Sequence, residues 1–453
     1  MNLSIRRAAQ TVQDGVRTQL WPLPIFGVVL AVAAGILVPL LDVRIDEQLP
    51  GVLDTLVFNG DPGAARTVLS AVSSSLITVT SLTFSLTVVT LQLASSQFSP
   101  RLLRTFTQDL FVQVTLAIFL ATFTFSLTVL RSVRSASEGG VVFVPRISVT
   151  IAFLLAVASV VSLTLFLAHL TRQIRVETML QHVYDDAVGT MQTNLTRRDD
   201  PAEGTPAPAP PHSAQVLWAR SSGFLTSIDQ DDLVGVATRA DARVVIERHP
   251  GSFVVQGTPL GRVWARSESP LDPETLDRLA ADVAGAVNQG PERTAAQDVG
   301  YGLRQVTDIV NKALSPGVND PTTAVHGLGQ MSALLVELTT YRLDPLVLTD
   351  DDDQARVVLH RPAFAELLEV CVAQPRSYGK ADVQVLSRLY TLLEDLAWHA
   401  STEQRPAVLD QLRRLDATVA DQDLDDVQTA RLDELGQSVR RIARRTAGDS
   451  PAS

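Results

Sequence analysis

Cysteine and lysine are scarce in this sequence of 453 residues. Cys371 is the only cysteine, which excludes a disulfide within the chain and any metal site built from several thiolates. Only Lys312 and Lys380 are lysines, which we interpret as a preference for arginine and not as chemistry. The net charge is -11 and no basic run interleaved with aromatics occurs, so no nucleic-acid partner is predicted.

Sequence motifs of known active sites are also missing. The seven histidines show no HExxH spacing, and neither a GxSxG elbow nor a phosphate-binding P-loop is present. We therefore predict no cofactor and no enzyme activity. An enzyme acting on a lipid or cell-envelope substrate is the weakest of three hypotheses, because no motif supports it.

Long apolar segments dominate the part of the chain before His169. The overall content of 46% hydrophobic residues is high for a soluble protein, and nearly all of the excess lies in this part. Four segments reach the length of about 20 residues that a membrane helix needs. They are residues 23–41, 67–94, 110–130 and 147–170. The sequence thus predicts an N-terminal segment, 1–20, and a four-helix transmembrane domain, 21–170. The first apolar run is longer than that of a signal peptide and lacks a cleavage site, so we expect it to stay attached.

Basic residues near the ends of these segments predict the orientation in the membrane. Those expected on the cytoplasmic side are Arg6, Arg7, Arg17, Arg101, Arg104, Arg172 and Arg175. The second external loop argues the other way, because it carries Arg131, Arg134 and Arg146. On balance the pattern predicts a bacterial inner-membrane protein with both termini in the cytoplasm.

The second segment, TVLSAVSSSLITVTSLTFSLTVVTLQLA, has no charge but many hydroxyl side chains. One helical face carries Ser74, Thr78, Ser81, Ser85 and Gln92. At 100° per residue, a roughly opposite face carries Thr80, Thr83, Thr87 and Thr90. A helix that is polar on two faces is poorly suited to lipid on both. One face is expected to pack on the other membrane helices, and the other on copies of the chain.

The favoured hypothesis is a homo-oligomeric channel in which Ser74, Thr78, Ser81, Ser85 and Gln92 line the pathway. Its mouth would carry Arg101, Arg104 and Asp109. The absence of charged residues inside the predicted membrane helices argues against a proton-coupled pump. The alternative is a non-conducting scaffold or sensor whose cytosolic domain binds a partner or ligand. In that case the hydroxyls only hold helices together, because they can bond to the carbonyl one turn earlier.

The region after the membrane helices is predicted to be a cytosolic α+β region. It comprises a helical stalk (171–198), a flexible linker rich in proline and alanine (199–213), a small β domain (214–266), a mostly helical domain (267–447) and a disordered tail (448–453).

The β domain resembles the barrel-sandwich arrangement of biotinyl and lipoyl domains, with Gly251 and Gly257 predicted to supply turns. It contains no lysine for a carrier group, so we expect a structural role.

The helical domain shows clear helix starts at Asp272–Pro273 and Asp320–Pro321. Five polar residues are candidates for the lining of a cleft: Arg304, Asp308, Lys312, Asn319 and Asp320. Ordinary salt bridges within the domain explain the same residues. Asn319 and Asp320 are first of all a turn and a helix cap.

Two other polar groups have the residue types of a metal site. His182 and Asp186 lie four residues apart on the predicted stalk, a spacing compatible with half a site, although an exposed pair is the commoner case. The acidic run within Thr349–Asp353 could chelate a hard cation but lacks the spaced oxygens and glycine of an EF-hand loop. A solvated turn of a hairpin is the preferred interpretation.

Three stretches together resemble the DUF2254 family of predicted bacterial membrane proteins. They are the hydroxyl-rich helix continuing into LASSQFSPRLLRTFTQD, the stalk HLTRQIRVETMLQHVYDD, and YGLRQVTDIVNKALSPGVNDPTTAVHGL. The resemblance spans most of residues 20–345. It implies a membrane protein with this layout, and it implies no activity or catalytic residue, because the family is uncharacterised.

Overall fold

The computed structural model describes residues 21–45, 57–97, 109–134, 143–173, 175–200 and 206–444. The chain forms two compact units, Met1–Arg175 and Val176–Ser453. Within the described residues, four helices are long and apolar enough to cross a membrane. They are α1 (Pro22–Ile45), α2 (Pro62–Gln97), α3 (Leu110–Leu130) and α4 (Arg146–Gln173). The predicted four apolar helices are thus confirmed.

Helix α2 is longer than the predicted segment. Its 36 residues span about 54 Å at 1.5 Å per residue, well beyond the thickness of about 30 Å of the hydrocarbon layer. Asp61 caps its start by accepting a hydrogen bond from the Ala64 N–H at 2.8 Å. No glycine or proline interrupts the helix after Gly63, so nothing in the sequence ends it earlier.

Helices α1 and α3 approach each other closely because α1 carries a glycine at the contact. A Cβ atom added to Gly35 would lie 2.7 Å from the Thr128 Cβ atom, so no larger residue fits without movement. In membranes, where lipid is as apolar as leucine, close packing of this kind is a main source of helix association.

Among the described residues of the membrane unit, the buried apolar side chains form three separate clusters. The first joins buried residues of all four helices, including Leu69 of α2 and Phe125 of α3. The second contains Val72 and Leu76 of α2 with Phe119 of α3. The third takes its members from α3 and α4 alone: Val112, Leu116, Phe166 and Leu170.

The predicted stalk is a separate helix, α5 (Val176–Asn194), which belongs to the second unit. Its apolar face is buried through Met179, Leu180, Val183, Ala187 and Met191. This face packs against two later helices, α8 (Tyr301–Ala313) and α9 (Pro321–Thr339). The amphipathic pattern that suggested a stalk therefore reflects packing within this unit.

Two β-sheets lie in the second unit. Their strands are β1 (Gln215–Trp218), β2 (Gly223–Ile228), β3 (Ala242–Ile246), β4 (Phe253–Val254), β5 (Pro259–Ala265), β6 (Val287–Gly290), β7 (Leu346–Thr349) and β8 (Ala355–Leu359). A five-stranded sheet has the order β1-β5-β3-β8-β7, and a three-stranded sheet has the order β4-β2-β6. Strands β3 and β8 are parallel, with Val244 opposite Val357.

This arrangement differs from the β domain expected within residues 214–266. Three of the eight strands come from later in the chain, and α6 (Gln230–Arg239), capped by Asp229, lies between β2 and β3. Strands β3 and β8 are largely buried, as central strands require, and each needs a partner that local spacing cannot identify. The predicted turns are confirmed, since Gly251 and Gly257 have φ values of 93° and 77°.

The remaining helices are α7 (Pro273–Ala286), α10 (Phe364–Tyr378), α11 (Val383–His399), α12 (Arg405–Ala420) and α13 (Asp426–Ala443). Both predicted helix starts are confirmed, because Asp272 and Asp320 cap α7 and α9 with a proline in the first turn. Helix α7 ends at Ala286, not at Gly290 as its pattern suggests, because Val287–Gly290 pairs with β2. After α5, this unit is thus a mixed α/β region followed by helices.

Candidate functional site

The five residues predicted to line a pathway are all exposed on the surface of the single chain, on one face of α2. We call this face, formed by Ser74, Thr78, Ser81, Ser85 and Gln92, the hydroxyl strip. Three of its hydroxyls donate to carbonyls of their own helix: Ser74 to Ser70 O at 2.8 Å, Thr78 to Ser74 O at 3.3 Å and Ser81 to Ile77 O at 2.9 Å. These hydroxyls are therefore satisfied without water or a second helix.

The opposite face of α2 is buried by the chain's own helices. Its members Thr80, Thr83, Thr87 and Thr90 are between 0% and 8% exposed. Thr80 donates to Leu76 O at 2.7 Å and Thr87 to Thr83 O at 2.9 Å. The Thr83 hydroxyl has no hydrogen-bond partner among the described residues. We call these four residues the threonine face.

Helices α3 and α4 add buried hydroxyls that the sequence analysis did not single out. Thr122 of α3 and Ser159 of α4 lie 3.3 Å apart between their oxygens. Ser126, one turn after Thr122, is fully buried and has no partner within the described part of the chain. The signal that could have revealed Thr122 and Ser126 is their spacing of four residues in an otherwise apolar helix.

Asp109, a predicted mouth residue, links the start of α3 to the end of α4. One carboxylate oxygen accepts from the Phe111 N–H at 2.9 Å. The other lies 2.6 Å from His169 Nε2 and accepts from Gln173 Nε2 at 3.0 Å. The Phe111 ring packs on the His169 imidazole with centroids 4.6 Å apart. The other mouth candidates, Arg101 and Arg104, lie outside the described residues.

Asp42 plays the corresponding role at the other end of the bundle. No sequence pattern around Asp42 predicts this role. This residue of α1 is 2% exposed and accepts three hydrogen bonds. The donors are the Ile147 N–H at 3.0 Å, the Ser148 N–H at 3.0 Å and the Ser148 hydroxyl at 2.7 Å. Asp42 therefore caps the first turn of α4, where unpaired N–H groups and the helix dipole favour a negative charge.

Two arginines on the helices at this end donate hydrogen bonds to residues outside the helices. Arg146 donates to Phe58 O at 3.0 Å and to the Asn59 side chain at 2.8 Å. Arg66 donates to Val133 O at 3.0 Å. The arginine at the end of the second external loop, which weakened the predicted orientation, thus has a structural role at this position.

Among the five cleft candidates of the second unit, Arg304, Asp308 and Asp320 make local side-chain contacts. Arg304 Nε lies 3.4 Å from Asp308 Oδ1, four residues along α8. Lys312 is half-buried, and Asn319 is exposed with a left-handed φ of 49°. Asp320 accepts from the Thr323 hydroxyl at 2.6 Å and from its N–H at 3.1 Å. These bonds from Thr323 lower the pKa of the Asp320 carboxyl, as expected of a helix cap.

The two groups with the residue types of a metal site lie on α5 and in the turn between β7 and β8. The described residues contain no cluster of three or more histidine, cysteine or acidic side chains that could hold a metal ion. Partial burial raises the pKa of the Asp186 carboxyl, and nearby His182 lowers it by less. In the acidic run, Asp350 accepts hydrogen bonds from the Gln354 N–H and from Arg356 Nε, in the turn between β7 and β8. The hairpin interpretation is confirmed.

Comparisons with known proteins agree with the membrane helices. The chain matches the DUF2254 family model, described as a predicted membrane protein, over residues 17–395. Uncharacterized proteins of Mycobacterium bovis and Mycobacterium tuberculosis are each 36% identical to it over 412 residues, which cover 90% of this chain and 78% of each relative. No solved structure matches. The family match covers most of the chain and includes the segments that carried the resemblance. The chain belongs to the DUF2254 family of predicted membrane proteins.

Proposed function

We propose that the protein forms a homo-oligomer in the bacterial inner membrane and acts as a conduit for ions or small solutes. The hydroxyl strip of α2 would face the other copies and line the pathway. Both termini and the second unit would lie in the cytoplasm. The observation that carries the proposal is that the threonine face of α2 is covered by the chain's own helices while the hydroxyl strip is not.

The neighbours of the strip support a contact between helices. Small residues at its centre are bordered by exposed Ile77, Leu82 and Phe84. Small hydroxyl residues let helices approach closely in membranes, and the apolar border would pack around them. Gln92 adds a side-chain amide with two donors and an acceptor, which hydrocarbon cannot satisfy.

The other membrane helices offer a contrast. Helix α4 exposes Phe153, Leu154 and Val160, side chains suited to lipid. On α1 the exposed residues include Phe26 and Leu30. Exposed polar side chains are therefore concentrated on α2. This makes α2 the best candidate for the contact surface between copies of the chain.

Flux measurements test the conduit. Protein reconstituted in liposomes is expected to pass ions, and Ser81→Leu or Ser85→Leu should reduce that flux without dispersing the oligomer. Ala158→Leu is the matched control, because it adds similar bulk at an exposed position of α4. Equal flux in all variants, or none in the wild type, would contradict the proposed pathway.

Cross-linking tests the oligomer separately. Cys371 is fully buried and burial raises the pKa of its thiol, so background reactivity should be low. Ser81→Cys should then form a disulfide between copies under oxidation, whereas Val160→Cys should not. A monomer under all mild conditions would remove the basis for a shared pathway.

The alternative is a non-conducting scaffold or sensor whose second unit binds a partner. It is favoured by the hydroxyls of Ser74, Thr78 and Ser81, which are already satisfied within α2 and so do not require water. Cross-linking through Ser81→Cys together with no flux would select this alternative.

A further inference from the structure

The buried side chains of α2 change from mostly apolar residues to threonines along the helix. In the first two apolar clusters, α2 contributes Leu69, Val72 and Leu76. The third cluster has no member from α2. After Leu76, the buried positions of the helix continue at the same spacing but are occupied by the threonine face. The buried face of α2 is therefore mostly apolar up to Leu76, with Ser73 as its one buried hydroxyl among the described residues there, and consists of threonines after Leu76.

Most buried hydroxyls of this unit bond back to their own helix. Thr80, Thr115, Thr122 and Ser159 all donate to a carbonyl four residues earlier, at 2.7 to 2.8 Å. The same bond is sterically open to any serine or threonine in a helix.

Two buried hydroxyls, those of Thr83 and Ser126, make neither this bond nor another one among the described residues. Thr83 and Ser126 are 0% exposed, and neither oxygen has a partner among the described residues. A buried hydroxyl without a partner is unfavourable, especially in a membrane, where lipid supplies none. Thr83 and Ser126 do not bond to the carbonyl four residues earlier, as neighbouring hydroxyls do. Both hydroxyls can therefore bond to a group in the interior of the bundle.

We propose that ordered water binds inside the bundle at Thr83 and at Ser126. A buried water needs two to four polar partners. Next to Thr83, the Thr87 hydroxyl lies one turn further along the same face and keeps lone pairs after donating to Thr83 O. Ser126 lies one turn from the Thr122 and Ser159 pair, whose oxygens can accept in the same way. Each subunit would thus have a hydrated interior on the opposite side of α2 from the hydroxyl strip.

This inference is independent of the proposed self-association, because the two faces of α2 are separate. Water-edited solid-state NMR of the full-length wild-type protein in liposomes tests it directly, since magnetisation passes from water only to nearby protons. Thr83 and Ser126 should receive magnetisation faster than Leu69 and Phe119, which are equally buried. Equally slow transfer to all four residues would overturn the proposal.

Substitution of Thr83 gives a second test, because a dry interior and a hydrated interior predict different changes in the folding equilibrium. If Thr83 is dry, Thr83→Val removes an unpaired hydroxyl and should shift the folding equilibrium about fivefold toward the folded state. If water binds there, the equilibrium should not move toward the folded state. Thr80→Val is the matched control, because the Thr80 hydroxyl is already bonded to Leu76 O. Stabilisation by Thr83→Val but not by Thr80→Val would overturn the proposal, whatever the outcome of the flux and cross-linking experiments.

Discussion

Polar side chains at the ends of the membrane unit bond to other helices or loops, whereas those in its middle bond mostly within their own helix. At one end Asp42 of α1 caps α4, and at the other Asp109 joins α3 to His169 of α4. In the middle, Thr80 and Thr87 donate to carbonyls one turn earlier on α2.

This difference separates two uses of polarity in a membrane. A bond between helices fixes their relative position, and its loss leaves a buried group without a partner. A hydroxyl bonded to its own helix makes the surface polar without specifying a neighbour. The ends thus determine how the helices are arranged, and the middle can carry polar surfaces, such as the hydroxyl strip, at little cost to the fold.

The largest effect is expected at Asp42. Asp42→Ala removes three hydrogen bonds and leaves two N–H groups at the start of α4 unpaired, which should lower the free energy of unfolding by about 2–4 kcal/mol. Unfolding in mixed detergent micelles measures the change. Asp42→Asn keeps one oxygen acceptor and should lose less. Unchanged stability in both variants would show that α4 does not depend on this cap.

A smaller effect is expected at Asp109, whose side chain is 12% exposed next to a His169 side chain that is 26% exposed. Asp109→Ala removes the cap of α3 and the link to α4, and should cost about 1–2 kcal/mol in the same assay. Gln173→Ala is the control, because it removes only one donor to this carboxylate. If Gln173→Ala lowers the free energy of unfolding as much as Asp109→Ala does, the α3 cap and the His169 contact contribute little to stability.

Local features of the chain could be predicted because their causes are local. The length of an apolar run determines a membrane helix, and an aspartate followed by proline determines a helix start, as at Asp272 and Asp320. Strand pairing has distant causes. Val287–Gly290 continues the pattern of α7 but forms β6 because β2, 59 residues earlier at Ile228, offers backbone partners. The two sheets therefore could not be assembled from sequence spacing.

The candidate site shows the same limit. The two polar faces of α2 follow from a period of 100° per residue, but the period alone does not decide which face is covered. The spacing of Leu69, Val72 and Leu76, continued by Thr80 and Thr83, was the available signal for the buried face. Asp42 could not be assigned, because its partner Ser148 lies 106 residues away and nothing near Asp42 distinguishes it from an acidic loop residue.

The smallest effect is expected at Thr80, and it sharpens the contrast with Asp42. Thr80→Val keeps the shape of the side chain and removes a hydroxyl that bonds only to Leu76 O. The backbone hydrogen bonds of the helix remain, so stability should change by less than about 0.5 kcal/mol. The same unfolding assay measures it, with Asp42→Ala as the reference for a bond between helices. A loss approaching that of Asp42→Ala would mean that the Thr80 hydroxyl holds a neighbouring helix, and the middle of the bundle would then be specified by polar bonds just as its ends are.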